Sequence, residues 1–426
     1  MPPIWPPWPK RFVCVFGRNR DNYEVPVALL EADMLDRFVT DFYYSDRSWL
    51  APAIPGKLKE RRHPALPRST TMNIYPSFLL QLLFNAAKLP TSRIYPTSDR
   101  ILGTAAALRA FITRSHLYSY AGYTIPRWVP LANRAKILFQ YHPHPAYMQS
   151  ILRADLTAHP EASWSFQNEE DSAADASDAR YSDWKRADFI VCASATTKRS
   201  LLFAGCPEEK ISVIPYGFDR VGVGDTFANE ASAECRLLFV GQGIQRKGLH
   251  HLIKAWNSAH LPNASLTLVC YRIDPGIERL IDPTRGVRLL RRQSPAELER
   301  LYAQSDVFIM PSLIEGFGLV YLEALQRGCF VIGTENTGLS DLDLSRDCHE
   351  LVAAGNIESI KTALIRACAR HAVRGFDRAR IAENADRRPV AMFRTEIVEH
   401  ARSVLRACCT KRTQRRSAAC GLRESR

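Results

Sequence analysis

The sequence predicts an α/β protein made of two Rossmann-like, doubly wound domains that face a cleft. Three observations carry this. The 426-residue chain is long enough for two separate cores. Short apolar runs alternate with stretches of helical periodicity in both halves. Between the halves, residues 216–234 carry three glycines and no apolar period, which signals a linker. The resulting division is an irregular, proline-rich segment at 1–10, an N-terminal domain at 11–218 and a linker at 219–234. A C-terminal domain at 235–388, a final helix at 389–409 and a basic tail at 410–426 complete it.

In chain order, Arg11 to Phe16 is an apolar run ending at Gly17, and reads as the first strand. A helical pattern follows through Leu29, Leu30 and Leu35, then a strand at Phe38 to Tyr44. Prolines and arginines break up residues 45–130, where helices are expected around 77–88 and 101–116. Ala135 to Tyr141 is a buried strand that ends in a His-Pro-His-Pro turn. Residues 150–188 read as helical with a looped middle. Phe189 to Ala193 and Ile211 to Pro215 are strands, with a helix from Thr196 to Phe203 between them. Beyond the linker, strands are expected at 236–241, 265–271, 306–310 and 330–333. Helices are expected at 247–258, 295–304, 319–327 and 357–371. Strict alternation of this kind implies parallel sheets, with ligands at the carboxyl ends of the strands.

Composition narrows the function classes. The longest apolar run, Phe78 to Ala87, falls short of the roughly 18 residues a membrane span needs. The start, MPPIWPPWPK, has no cationic stretch followed by an apolar core, so a secretory signal is not expected. The eleven cysteines are scattered without a CxxC, which suits free thiols in a reducing cytoplasm. Net charge is +13, which suits nucleic acid, an anionic membrane surface or phosphorylated substrates. The basic clusters lack the interleaved aromatics of a single-strand binder, so no nucleic acid is expected. The basic balance, with Lys411 to Arg416 in the tail, leans towards peripheral attachment at the inner face of a membrane.

The chemistry concentrates in PSLIEGFGLVYLEALQRG, residues 311–328. An apolar strand runs into a Gly316-Phe317-Gly318 turn, and a helix opens at Leu319. Such a turn presents unpaired amides at a helix N-terminus, where the dipole favours an anion such as phosphate. Glu315 lies in the turn and Glu323 about two turns into the helix. One carboxylate can accept hydrogen bonds from a sugar, the other from a ribose.

This pattern resembles the Glu-(seven residues)-Glu signature of retaining glycosyltransferases of family 4, which have the GT-B fold. Three further segments resemble that family in the same chain order. They are ILFQYHPHP, SVIPYGFD and LLFVGQGIQRKGLHHLIKAW. The resemblance implies a nucleotide-diphosphate sugar donor, a glycan or glycolipid acceptor, no cofactor and no catalytic metal. It implies that Glu315 orients the donor sugar, Lys247 meets the diphosphate, and His142 faces the sugar. Glu323 would bind ribose, and the turn residues Gly316, Phe317, Gly318 and Leu319 the phosphates. The family has an arginine where this chain has Gln242, and Arg246 is the neighbouring cation that can replace it. Thr334 in the loop GTENTGLSDL and Gly17 after the first strand complete the expected donor contacts. The final helix is expected to cross back to the first domain.

Two metal readings compete with this one. His142 and His144 have ligand-like spacing, but no acidic residue or cysteine lies close in sequence to complete a site. Asp341-Leu342-Asp343 spells a DxD, which falls late in the second domain and reads as loop and helix-cap chemistry. The functional rivals are a sugar-nucleotide epimerase, a non-catalytic nucleotide-sugar binder and a nucleic-acid-binding protein.

Overall fold

The structure is a computed structural model and describes residues 11–45, 54–87, 91–123, 125–131, 134–164, 179–219 and 233–424. It contains two all-parallel sheets. The N-terminal sheet has strands β1 (Phe12–Val15), β2 (Leu35–Thr40), β3 (Thr71–Asn73), β4 (His116–Tyr120), β5 (Lys136–Gln140), β6 (Phe189–Cys192) and β7 (Ile211–Val213), in the order β3-β2-β1-β4-β5-β6-β7. The C-terminal sheet has β8 (Cys235–Val240), β9 (Ala264–Val269), β10 (Val287–Leu290), β11 (Val307–Ile309), β12 (Phe330–Thr334) and β13 (His349–Val352), in the order β10-β9-β8-β11-β12-β13. Strand order reverses beside β1 in the first sheet and beside β8 in the second. These are the switch points where open α/β sheets hold ligands.

The central strands are buried on both faces, as parallel strands flanked by helices must be. In the first domain an aromatic row crosses the sheet. Phe16 meets Phe38 at 4.6 Å and Tyr120 at 4.5 Å, and Tyr120 meets Phe139 at 4.8 Å. The row continues to Tyr216 and to Phe393 on the last helix. That helix therefore packs on the first domain, as expected. Arg394 fixes it there through ion pairs with Glu24 (2.6 Å) and Glu31 (2.9 Å).

Several elements differ from the sequence reading. Strands β3, β4, β10 and β13 and the helix Arg378–Ala385 were not expected. Strand β2 ends at Thr40, and the apolar residues Phe42 to Tyr44 beyond it are buried in a loop. The helix expected at 101–116 begins ten residues earlier, as Thr91–Thr113, with Pro96 in its second turn, where the missing amide removes one intrahelical hydrogen bond. The final helix continues to Glu424, through the residues assigned to a separate tail. The N-terminal segment and most of the linker lie outside the described residues. Among the described residues, no helix is long and apolar enough to cross a membrane.

Candidate active site

Two loops of the C-terminal domain meet at its switch point. The first follows β8 and runs Gly241 to Gly248; the second follows β11 and runs Met310 to Gly318. They are zipped together where the Leu313 amide donates to the Arg246 carbonyl at 2.9 Å. Gly248 adopts φ 67°, and a Cβ there would lie 1.9 Å from the Pro311 carbonyl oxygen. Only glycine fits that turn, which starts the helix Leu249–Ala259.

This packing brings Glu315, Arg246 and Lys247 together. The Glu315 carboxylate takes Arg246 Nη1 at 2.6 Å on one oxygen and Lys247 Nζ on the other. All three side chains are largely buried. Burial alone raises the Glu315 carboxyl, but Arg246 and Lys247 reverse this and hold it well below the usual carboxylate range. Burial lowers the Lys247 ammonium, and Glu315 only partly offsets that. The cluster has two cations and one anion, so it keeps one surplus positive charge beside the turn.

The second loop rests on the strand behind it. The Glu315 amide donates to the Asn336 carbonyl at 2.9 Å. Thr334 Oγ1 donates to the Ser312 carbonyl at 2.7 Å and is fully buried, so Thr334 braces the loop from behind. Gly318, at φ 94°, caps the helix Leu319–Gln326. Among the described residues, the amides of Gly316, Phe317 and Gly318 donate to no backbone carbonyl, which leaves them available as donors. Glu323 sits on that helix and accepts from Tyr302 Oη at 3.0 Å; burial raises its carboxyl. Gln242 is exposed on the first loop, and Arg246 makes the contact with Glu315.

The N-terminal domain closes the other side. A Cβ on Gly316 would lie 2.1 Å from the Tyr141 carbonyl oxygen and 3.3 Å from the His142 Cα, so the turn touches the end of β5 directly. The Gly316 carbonyl accepts from Ser194 and Thr197, at the start of the helix Ala195–Phe203. Asp341 caps the same helix from the other domain, taking the Ala195 amide at 3.0 Å. The DxD aspartate is thus a cap, as read, and it caps across the cleft. His142 remains solvent-accessible in the cleft wall. Enclosing protein, then the cations Arg246, Arg20 and Lys247, push it below its ordinary range, so it is neutral near pH 7. His144 instead caps the helix Pro145–Ala158, accepting from the Ala146 amide at 3.3 Å. Among the described residues, neither of these histidines joins a metal-capable group.

Gly17 lies two residues past β1, and its amide donates to Tyr123 Oη at 2.7 Å. Arg18 is held by Asp99 at 3.1 Å and lies over the Tyr95 ring. Arg20 lies over the Tyr141 ring at 4.2 Å. The sequence reading missed Arg20, Ser194, Thr197 and Tyr141. Only Arg20 had a visible signal, as a cation just past the first strand. The others meet the Gly316 backbone across the domains, Ser194 and Thr197 by their hydroxyls and Tyr141 by its carbonyl, and such contacts leave no local pattern.

Residues 234–370 match the family model described as Glycosyl transferases group 1. The amylovoran biosynthesis glycosyltransferase AmsK of Erwinia amylovora is 24% identical over 181 residues, 40% of this chain and 44% of that protein. The O-antigen chain mannosyltransferase RfbU of Salmonella typhimurium is 29% identical over 157 residues, 35% of this chain and 42% of that protein. This chain thus spans under half the length of these curated relatives. Solved structures match almost end to end. Anabaena Alr3699/HepE, in complex with UDP and glucose, gives a TM-score of 0.55 at 15% identity, covering 92% of this chain and all (100%) of that one. WaaG, a glycosyltransferase involved in lipopolysaccharide biosynthesis, gives 0.53 at 15%, covering 88% and 94%. These likenesses establish the GT-B fold.

Proposed function

We propose that this chain, a GT-B protein whose C-terminal domain belongs to the glycosyl transferases group 1 family, is a retaining glycosyltransferase. It moves a hexosyl unit from a nucleotide-diphosphate sugar to a hydroxyl of a glycan or glycolipid. The carrying observation is the Arg246–Glu315–Lys247 group, with its surplus positive charge beside the donor amides of 316–318. A diphosphate is the anion that suits both. UDP and glucose in the HepE complex support a donor of this class.

In this reading Lys247, Arg246 and the turn amides hold the diphosphate. They stabilise charge as the bond from the anomeric carbon to the phosphate oxygen breaks, which is the largest contribution such sites make. The acceptor oxygen bonds to the anomeric carbon on the same face, and its proton passes to the leaving phosphate. Glu315 is tied to two cations, which suits orienting sugar hydroxyls better than covalent attack. Neutral His142 donates or accepts at the sugar from the opposite wall. Glu323 binds ribose with the oxygen that Tyr302 leaves uncovered. No metal enters these steps. Peripheral attachment to an anionic membrane surface would bring a lipid-linked acceptor to the cleft.

Calorimetric titration with UDP, GDP and ADP tests the reading. Saturable binding of one nucleotide, weakened in Lys247→Ala, supports it and names the donor base. A transfer assay with that donor must then yield a product whose anomeric configuration is kept. No binding of any nucleotide would sink the proposal.

A further inference from the structure

A second polar cluster joins the domains through the helix that follows Lys247. Asp155 comes from the N-terminal helix Pro145–Ala158, and His250 and His251 from Leu249–Ala259. Both imidazoles are fully buried. His251 Nε2 lies 2.6 Å from Asp155 Oδ1, and His250 Nε2 lies 3.0 Å from Oδ2. Gln245 Nε2 also donates to Oδ2, at 2.8 Å. His159 follows the N-terminal helix, and its ring centre lies 4.5 Å from that of His251. Asp155, His159 and His251 each bring a ligand atom within 4.8 Å of the others. The Nδ1 atoms of His250 and His251 are buried and make no hydrogen bond among the described residues.

We propose that Asp155, His159 and His251 form an interdomain site for a borderline transition-metal cation of the Zn²⁺ class. Two imidazole nitrogens and one carboxylate suit such an ion and do not suit Mg²⁺ or Ca²⁺, which take oxygen ligands. Bond lengths of about 2.0–2.2 Å put tetrahedral ligand atoms about 3.3 Å apart, a small adjustment from the present spacing. Gln245 and His250 hold the other carboxylate oxygen, the orienting contacts that metal carboxylates need. Lys254 Nζ now sits 3.0 Å from His159 Nδ1 and is also paired with Glu161. An ion would move it fully onto Glu161. His159 is partly exposed, which gives the ion an entry path and water the fourth position. The bound ion would tie the end of one domain's helix to the start of the other's, and so hold the cleft closed. It takes no part in the transfer step, so the site does not depend on that reading.

The test uses the full chain, stripped with a chelator and titrated calorimetrically with Zn²⁺, Co²⁺ and Mg²⁺. The expected result is one ion of Zn²⁺ or Co²⁺ per chain, with visible Co²⁺ bands of a four-coordinate site, and no Mg²⁺ binding. His159→Gln, at the exposed rim, is expected to weaken binding at least about tenfold and remove the bands. His251→Gln should do the same. No saturable binding, equal binding of Mg²⁺, or unchanged Zn²⁺ affinity in His159→Gln would overturn the proposal.

Discussion

The two domains solve the same turn in opposite ways. After β8, the loop towards Lys247 uses Gly241, Gly243 and Gly248, with Gly248 taking the left-handed conformation. After β1, Gly17 stands alone, and the left-handed positions fall on Arg18 (φ 66°), Asp21 (φ 47°), Asn22 (φ 47°) and Tyr23 (φ 63°). Glycine takes such angles without steric cost, whereas other residues pay roughly 1–2 kcal/mol each. The C-terminal loop is thus relaxed and leaves its cations free to meet Glu315. The N-terminal loop is strained, and its side chains are engaged in holding it. Arg18 goes to Asp99, and Tyr23 stacks on Phe16. On the proposed function, the second domain supplies the anion-binding face and the first supplies the opposite wall.

The contrast breaks most easily at Gly248. Gly248→Ala adds both a left-handed strain and an overlap with the Pro311 carbonyl. A loss of roughly 2–6 kcal/mol is expected, read as a lower urea midpoint. An unchanged midpoint would mean the loop is not locked on Pro311.

Next is the difference between the faces. Lys247→Ala should lower kcat about 10²–10³-fold in a transfer assay, the usual loss for one donor to developing charge. Arg18→Ala is expected to change kcat by less than about tenfold, because Asp99 already holds that guanidinium. Equal losses would place the diphosphate between both loops.

Acid should loosen the N-terminal side. Burial, with Arg134 adding to it, pushes His116 down to about 4, and burial alone does the same to His400. His116 Nδ1 accepts the Ala135 amide at 2.9 Å, which protonation would forbid. The folded values lie below the ordinary 6.5, so the unfolded chain takes up the proton first. Stability is therefore full above about pH 6.5 and falls towards pH 4, by on the order of 2 kcal/mol per histidine at pH 5. Thermal melts between pH 7.5 and 4.5 measure it. A flat profile would refute it.

The smallest effect is expected at Asn22→Gly, which relieves one left-handed residue in the first loop. Asn22 is exposed, so the gain should stay within about 1 kcal/mol. A clear loss would show that the Asn22 side chain shapes the loop.

Much of the C-terminal domain was legible in the sequence. The helices Pro295–Gln304 and Leu319–Gln326 and the strand Val307–Ile309 fall within a residue of expectation, because apolar period and glycine punctuation agree there. The missed strands β3, β10 and β13 lie at sheet edges and are three or four residues long, too short to show a period. Strand β4 is central and wholly buried, yet it reads HLYSY. Two of its polar side chains find partners inside the domain, His116 with the Ala135 amide and Ser119 with the Ile137 carbonyl. A local reading cannot see those partners.

The sequence by itself determined the alternation of strands and helices, and with it two parallel sheets. It also determined the glycine turn that sets Glu315 before a helix. These follow from local sterics and apolar spacing, which act over a few residues. The tertiary structure decided that Arg246 and Lys247 both close on Glu315, and that Gly316 rests on Tyr141. It also decided that Asp341 caps a helix of the other domain and that Asp155 gathers two buried histidines. Those contacts join residues tens to hundreds of positions apart. Their strength comes from burial of charge and exclusion of water, which exist only once the two sheets have met.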